Sequence, residues 1–150
     1  MNPRNKIFTQ TNENLQSIAI LLLRFTIGFI LFVAGAEKVI GWFSGKGLEA
    51  TVDAFVSKMG IPPFLAYLSC YTEFLGGILL FLGLITRPVA VAVFINMLVA
   101  TLHLSHHGFF AGRAAYPFSL MMIALTVLLT GPMRYSLDYL IFNKKKKRSH

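Results

Sequence analysis

The sequence is short of charge and of the residue that carries thiol redox chemistry. Its one cysteine, Cys70, excludes a disulfide within the chain, a Cys-x-x-Cys redox pair and a four-thiolate iron–sulfur site. Charged residues make up only 13% of the chain, about half the proportion in a typical soluble domain. The low proportion of charged residues argues against an ordinary soluble domain, and the single cysteine leaves any dithiol chemistry to a partner protein.

Long apolar stretches stand where a soluble protein would carry charge. Four of them approach the roughly 20 helical residues that cross a hydrocarbon core, and they predict spans at 17–36, 64–85, 88–104 and 114–131. In the first connection, apolar residues recur at helical spacing and predict a short amphipathic helix, at Leu48, Val52, Phe55 and Met59. The predicted fold is all-α: a four-transmembrane-helix bundle with this amphipathic helix in the first outer connection.

Basic residues indicate how the chain is organised and oriented. The predicted parts are a polar tail (1–16), a membrane domain (17–142) and a basic tail (143–150) that carries five consecutive cations. With both termini inside, nine cations flank the inner side and four the outer side, which predicts cytoplasmic termini. The cations form no stripe on a globular surface, so nucleic acid is not an expected partner despite the net charge of +8.

Two charges lie inside the predicted spans, Arg24 in the first and Glu73 in the second. A charge that faces lipid costs about 2.5–3.5 kcal/mol on insertion scales, so both side chains are expected to face the bundle interior. Their opposite signs and similar depths predict an Arg24–Glu73 ion pair, with Asn96 of the third span at a similar depth. Three interpretations stay open: a pair that only fixes helix register, a ligand or proton site, and an Arg24 side chain that reaches the inner surface instead.

A second polar group lies nearer the outer face and includes Glu37, Lys38 and His103. His103 is predicted within about one helical turn of the depth of Glu73, and a carboxylate and an imidazole so placed can pass a proton. Glu73 and His103 are therefore the candidate catalytic residues. The candidate ligand-binding residues are Arg24, Glu37, Lys38, Glu73, Asn96 and His103.

Three histidines near the end of the third span have a spacing that could ligate a metal: His103, His106 and His107. No carboxylate or thiol lies in the same loop, so a metal site is not expected. All three histidines come from one segment, whereas a haem usually takes histidines from facing helices. A haem is therefore not expected either.

Short motifs follow one another along the chain in a recognisable order. Leu23-Arg24 with Gly28 and the sequence Gly-Ala-Glu-Lys at 35–38 begin the series. It continues with Glu73 before Gly76-Gly77, and with Asn96-Met97. It closes with Gly131-Pro132, Arg134 and the sequence Ser-Leu-Asp at 136–138. Together these motifs resemble the DoxX family of small four-helix membrane proteins, although Met133 stands where the family often has a second glycine.

The resemblance implies a multi-pass protein of the bacterial plasma (inner) membrane. Some relatives are subunits of thiosulfate:quinone oxidoreductases, and others belong to membrane redox complexes. The leading hypothesis is an accessory subunit of such a complex that holds a quinone or a similar lipophilic molecule in the bundle. No covalent cofactor is expected, and a partner or a soluble cofactor would supply the electrons.

Two other functions remain open from the sequence. The first is a non-catalytic membrane organiser that docks soluble partners. The second is a small-solute or proton carrier, for which four short spans leave little room unless the protein oligomerises. Membrane lipid and the proteins of a redox complex are the expected partners, and the chain length permits a homo-oligomer.

Overall fold

The computed structural model describes residues 13–106, 108–110 and 113–141. Its helices are α1 (Glu13–Val39), α2 (Leu48–Met59), α3 (Pro63–Leu82), α4 (Thr86–Ser105) and α5 (Ala115–Thr130). A further helical turn occupies residues 137–141, and strands are absent from the described ranges. The predicted all-α class is confirmed. Residues 1–12 of the predicted polar tail, His107 and the predicted basic tail lie outside the described residues.

Helix lengths match a protein that crosses a membrane. Three helices, α1, α3 and α4, are long and apolar enough to span it. The fourth, α5, is equally apolar but has 16 residues, or about 24 Å of helix. The amphipathic helix predicted in the first connection is α2. The first span begins earlier than predicted, because residues 13–16 are already part of α1.

Local signals in the sequence set the helix ends. Gly60 and Gly83 follow α2 and α3 in the left-handed region, with φ of 64° and 69°, where a residue with a Cβ would be strained. Pro63 opens α3, and Pro88 lies in the first turn of α4. A proline fits there because the first amides of a helix have no acceptor within the helix.

The bundle is built from two closely packed helix pairs, α1 with α3 and α4 with α5. Glycines allow the first pair to approach backbone to backbone: a Cβ on Gly28 would lie 2.7 Å from the backbone nitrogen of Phe81, and one on Gly77 would lie 2.9 Å from the carbonyl oxygen of Gly28. Between the pairs lies a core that includes Ile27, Leu31, Leu80, Val93 and Val127, all essentially inaccessible.

The two pairs do not meet evenly along their length. We call the end of the bundle at the Gly83–Ile85 connection the turn end, and the opposite end, which carries α2, the roof end. In the half of α3 nearer the turn end, Gly76 packs against α4, where its Cβ would lie 3.2 Å from Val93 and 3.5 Å from Val89. Toward the roof end, α3 and α4 are separated by a cavity.

Candidate ligand-binding cavity

An ion pair joins α1 to α3: Lys38 Nζ donates a hydrogen bond to Oε2 of Glu73. Lys38 lies in the last turn of α1. Glu73 lies in the middle of α3, about 15 Å from either end of that helix. The Glu73 side chain is 7% exposed and the Lys38 side chain 28%. A carboxylate at this depth is tolerated because an ammonium group compensates its charge.

Close helix packing sets the register of this pair. A Cβ on Gly35 of α1 would overlap the backbone of Phe74, the residue that follows Glu73. Lys38 lies three residues after Gly35, on the same face of α1 and nearer the roof end. Because Gly35 lies directly against α3 at this level, the lysine side chain reaches Glu73 from one turn away.

A third helix, α4, brings two more polar side chains to the same region. Asn96 Nδ2 lies 3.5 Å from Oε1 of Glu73, a long hydrogen bond that uses the second carboxylate oxygen. His103, two turns further along α4, is half-buried and makes no side-chain hydrogen bond to a described residue. Nowhere in the described part of the chain do three His, Cys, Asp or Glu residues come close enough to hold a metal ion.

A cavity of about 680 Å³ lies beside the ion pair, in the half of the bundle toward the roof end. Lys38, Glu73, Asn96 and His103 all line it. The rest of the lining is mostly apolar: one face of α3, one face of α4, part of α5 and a roof formed by α2 and residues 60–62. The volume lies within the roughly 300–1,000 Å³ of pockets that hold small-molecule ligands.

The predicted ion pair between Arg24 and Glu73 is wrong. Arg24 is buried, but its Nη1 donates to the carbonyl oxygen of Pro132 at 3.0 Å and its Nη2 donates to the carbonyl oxygen of Tyr135. Arg24 does not line the cavity. Lys38, about four helical turns further along the same stripe of α1, takes the place that Arg24 was predicted to occupy.

Arg24 instead holds the segment after α5 against the turn end. In the same segment, both carboxylate oxygens of Asp138 accept hydrogen bonds from the first amides of α4, at 2.7 Å from the nitrogen of Ile85 and 2.8 Å from that of Thr86. Asp138 thus caps α4 from a distant part of the chain, in place of a side chain at the cap position itself. Gly83 has no room for a Cβ, which would lie 2.6 Å from Nη1 of Arg24.

Glu37 lies apart from the other predicted ligand-binding residues. It is half-buried and lines a separate shallow groove with Phe29, Ile30 and Val33. Two residues, Ala34 and Tyr116, line both the groove and the cavity. Of the six predicted ligand-binding residues, the structure therefore brings four together and leaves Arg24 and Glu37 outside.

Two residues of the cavity lining, Tyr116 and Phe55, could not be assigned to a ligand site from the sequence. Tyr116 lies in the first turn of α5 and lines the cavity. In the sequence it looks like any aromatic residue at the end of a membrane helix, so nothing marks it as part of a site. Phe55 was predicted on the apolar face of α2, but its ring lies 5.7 Å from Lys38 Nζ, in a cation–π contact between the roof and the ion pair. Only the packing of α2 over the helix ends reveals that contact.

The fold and the cavity define a multi-pass helical membrane protein with a ligand-sized space beside a buried ion pair. The chain belongs to the DoxX family, whose model matches residues 19–108, from α1 through α4. The resemblance seen in the sequence motifs is thereby confirmed. The closing motif at 131–138, which holds the cap of α4, lies beyond the matched range.

Two curated proteins are similar over most of the chain. A Bacillus subtilis (strain 168) protein named "Putative oxidoreductase CatD" is 35% identical over 129 residues, which cover 86% of this chain and 91% of that protein. The Escherichia coli (strain K12) protein named "Inner membrane protein YqjF" is 28% identical over 137 residues, which cover 89% of this chain and 98% of that protein. No solved structure is significantly similar to the chain.

Proposed function

We propose that the protein binds a quinone, or a lipophilic molecule of similar head-group chemistry, in the cavity, and that it acts as an accessory membrane subunit of a redox complex. One observation carries the proposal: Lys38 and Asn96, which donate hydrogen bonds to the buried carboxylate of Glu73, line a mostly apolar cavity inside a membrane bundle. The name of the relative CatD, which includes the word oxidoreductase, supports a redox role.

The donor set suits a ring that carries carbonyl oxygens. The Lys38 ammonium has three N–H donors and the Asn96 amide two, and each uses one on Glu73. The remaining donors are available to quinone carbonyls, while the apolar lining packs against the ring. Glu73 orients both donors, and it and His103 would exchange protons with the bound molecule.

The described residues hold no thiol pair or metal-ligand group that could carry electrons. In the proposed complex a partner protein or a soluble cofactor therefore supplies the electrons. The proposed location is the bacterial inner membrane with both termini cytoplasmic. The excess of basic residues on that side supports this orientation, and the name of the relative YqjF supports the location.

Saturable binding of a short-tail quinone analogue to the purified protein tests the proposal. Glu73→Gln removes the charge that orients Lys38 and Asn96, so the affinity is expected to fall about tenfold, equivalent to roughly 1.4 kcal/mol. Glu13→Gln is the matched control, because Glu13 pairs with Arg134 on the exposed surface at the turn end. Absence of saturable binding, or equal binding by both variants and the parent, would contradict the proposal and favour a non-catalytic organiser.

A further inference from the structure

We infer that the ligand of this cavity carries a long hydrocarbon tail, and that the tail leaves the cavity sideways, between α3 and α4, into the membrane. The inference rests on the proposed function, because it concerns the remainder of the same ligand. It specifies a lipid-dissolved ligand and excludes a water-soluble one.

Apolar side chains of α3 and α4 line one side of the cavity and are partly exposed. Leu65 and Leu68 of α3 and Ile95 and Val99 of α4 line the cavity, and each is about half exposed. None of these four side chains carries a polar atom. We call these four residues the lateral opening. All four residues lie within α3 and α4, two of the helices that are long and apolar enough to cross a membrane.

Parts of the described structure cover the cavity toward both ends of the bundle. The roof consists of α2 and residues 60–62, with Phe55 and Met59 facing the cavity. The Lys38 contact with the Phe55 ring holds this roof on α1. A hydrogen bond of 3.4 Å from the Tyr67 hydroxyl to Glu49 also connects α2 to α3. At the other end, Gly76 packs on Val89 and Val93 and closes the space between α3 and α4.

The chemistry of the ligand follows from this arrangement. Its head must offer hydrogen-bond acceptors to Lys38 and Asn96, which lie on the inner wall. Its other end meets the aliphatic side chains of the lateral opening. The cavity volume of about 680 Å³ is typical of pockets that hold a drug-sized molecule, so any part of a tail that extends beyond the cavity continues through the lateral opening. A prenylquinone has this chemistry, and a fatty acid shares it.

Photolabelling in lipid nanodiscs tests the inference. A photoreactive short-tail quinone labels the site, and unlabelled quinones with the same head and either a short or a long tail compete. Val99→Trp narrows the lateral opening, while Val91→Trp makes the same change on an exposed face of α4 outside the cavity. In Val99→Trp the long-tail quinone is expected to compete at least tenfold less well than in the parent, with the short-tail quinone within about twofold. Val91→Trp is expected to change neither.

Each other outcome has a defined meaning. Undiminished competition by the long-tail quinone in Val99→Trp overturns the tail route and leaves the proposed function intact. Failure of the short-tail quinone to label the parent saturably contradicts the proposed function itself. If Val99→Trp weakens both quinones equally, Leu68→Trp narrows the opposite wall, and equal weakening there too overturns the inference. Competition by a long-chain fatty acid equal to that of the long-tail quinone supports the tail route but contradicts a quinone-specific head site.

Discussion

Lys38 and Glu73 form an ion pair between α1 and α3 at the wall of the cavity, and Asn96 of α4 completes the hydrogen bonding of the carboxylate. This arrangement connects α1, which packs directly against α3, and α4, which belongs to the other helix pair, to the same buried carboxylate on α3. It also leaves N–H donors of Lys38 and Asn96 beside a space large enough for a ligand. The ion pair therefore joins α1 to α3 and also lies where it can contact a ligand bound in the cavity.

The ion pair can be tested by a double-mutant cycle on the free energy of unfolding in detergent. Lys38→Met leaves a buried carboxylate uncompensated, and Glu73→Gln leaves an ammonium group without its counter-charge. The double variant is expected to lose less stability than the sum of the single losses, by about 0.5–3 kcal/mol. The parallel cycle with Arg24→Met and Glu73→Gln is expected to be additive, since these residues share no partner. Coupling in the second cycle but not in the first would show that the register of α1 and α3 is wrong.

Arg24 is expected to stabilise the fold without contributing to the ligand site. Arg24→Met removes the donors to the carbonyl oxygens of Pro132 and Tyr135, and hydrogen bonds to a charged group contribute about 1.5–3 kcal/mol each. Chemical unfolding should therefore show a loss of roughly 3 kcal/mol or more. Arg134→Met is the matched control. It breaks an exposed pair with Glu13 and should cost less than about 1 kcal/mol. A similar, small loss in both variants would contradict the role assigned to Arg24.

Asp138 is expected to protect the start of α4. Asp138→Ala leaves the amides of Ile85 and Thr86 without their acceptors, and loss of a cap costs about 0.5–2 kcal/mol. Hydrogen–deuterium exchange should accelerate at the peptide that contains these two amides, with little change near the cavity. Unchanged exchange at that peptide would mean that the closing segment does not cap α4.

The glycines between α1 and α3 are expected to be intolerant of a methyl group. In Gly35→Ala the new Cβ meets the backbone of Phe74, which cannot move independently of α3, so overpacking should cost about 1–3 kcal/mol. Gly76→Ala provides the comparison, because its Cβ would meet only side-chain atoms of Val93 and Val89, at 3.2 and 3.5 Å. Thermal unfolding should rank Gly35→Ala well below Gly76→Ala, and the reverse order would rule out the close α1–α3 contact.

Composition and periodicity were sufficient to predict the helices of the bundle. Apolar runs of membrane length predicted the spans, and the spacing of Leu48, Val52, Phe55 and Met59 predicted the short amphipathic helix that the structure shows as α2. The end of the chain was harder to predict. The residues around Pro132 and Tyr135 lie outside any apolar run, so no pattern in them indicated that their carbonyl groups bind a buried arginine.

The candidate site was predicted only in part, because the sequence does not show which residues of α1 lie level with Glu73 of α3. Arg24, Gly35 and Lys38 share one stripe of α1, so the helical pattern alone could not decide which cation lies opposite Glu73. The contact of Gly35 with Phe74 decides it in favour of Lys38. Glu37 is adjacent to Lys38 in sequence, but one residue turns it by about 100° around the helix, and it lines the separate groove.

The ligand site at the Lys38–Glu73 pair can be tested by mapping the residues that a photoreactive short-tail quinone labels. Residues that line the cavity, such as Ser69, Thr72 and Ala100, are expected to be labelled, and both unlabelled quinone and Glu73→Gln are expected to reduce that labelling. Labelling confined to the exposed outer face of α1, at Phe25 and Phe29, or labelling that excess quinone does not reduce, would contradict a ligand site at the Lys38–Glu73 pair.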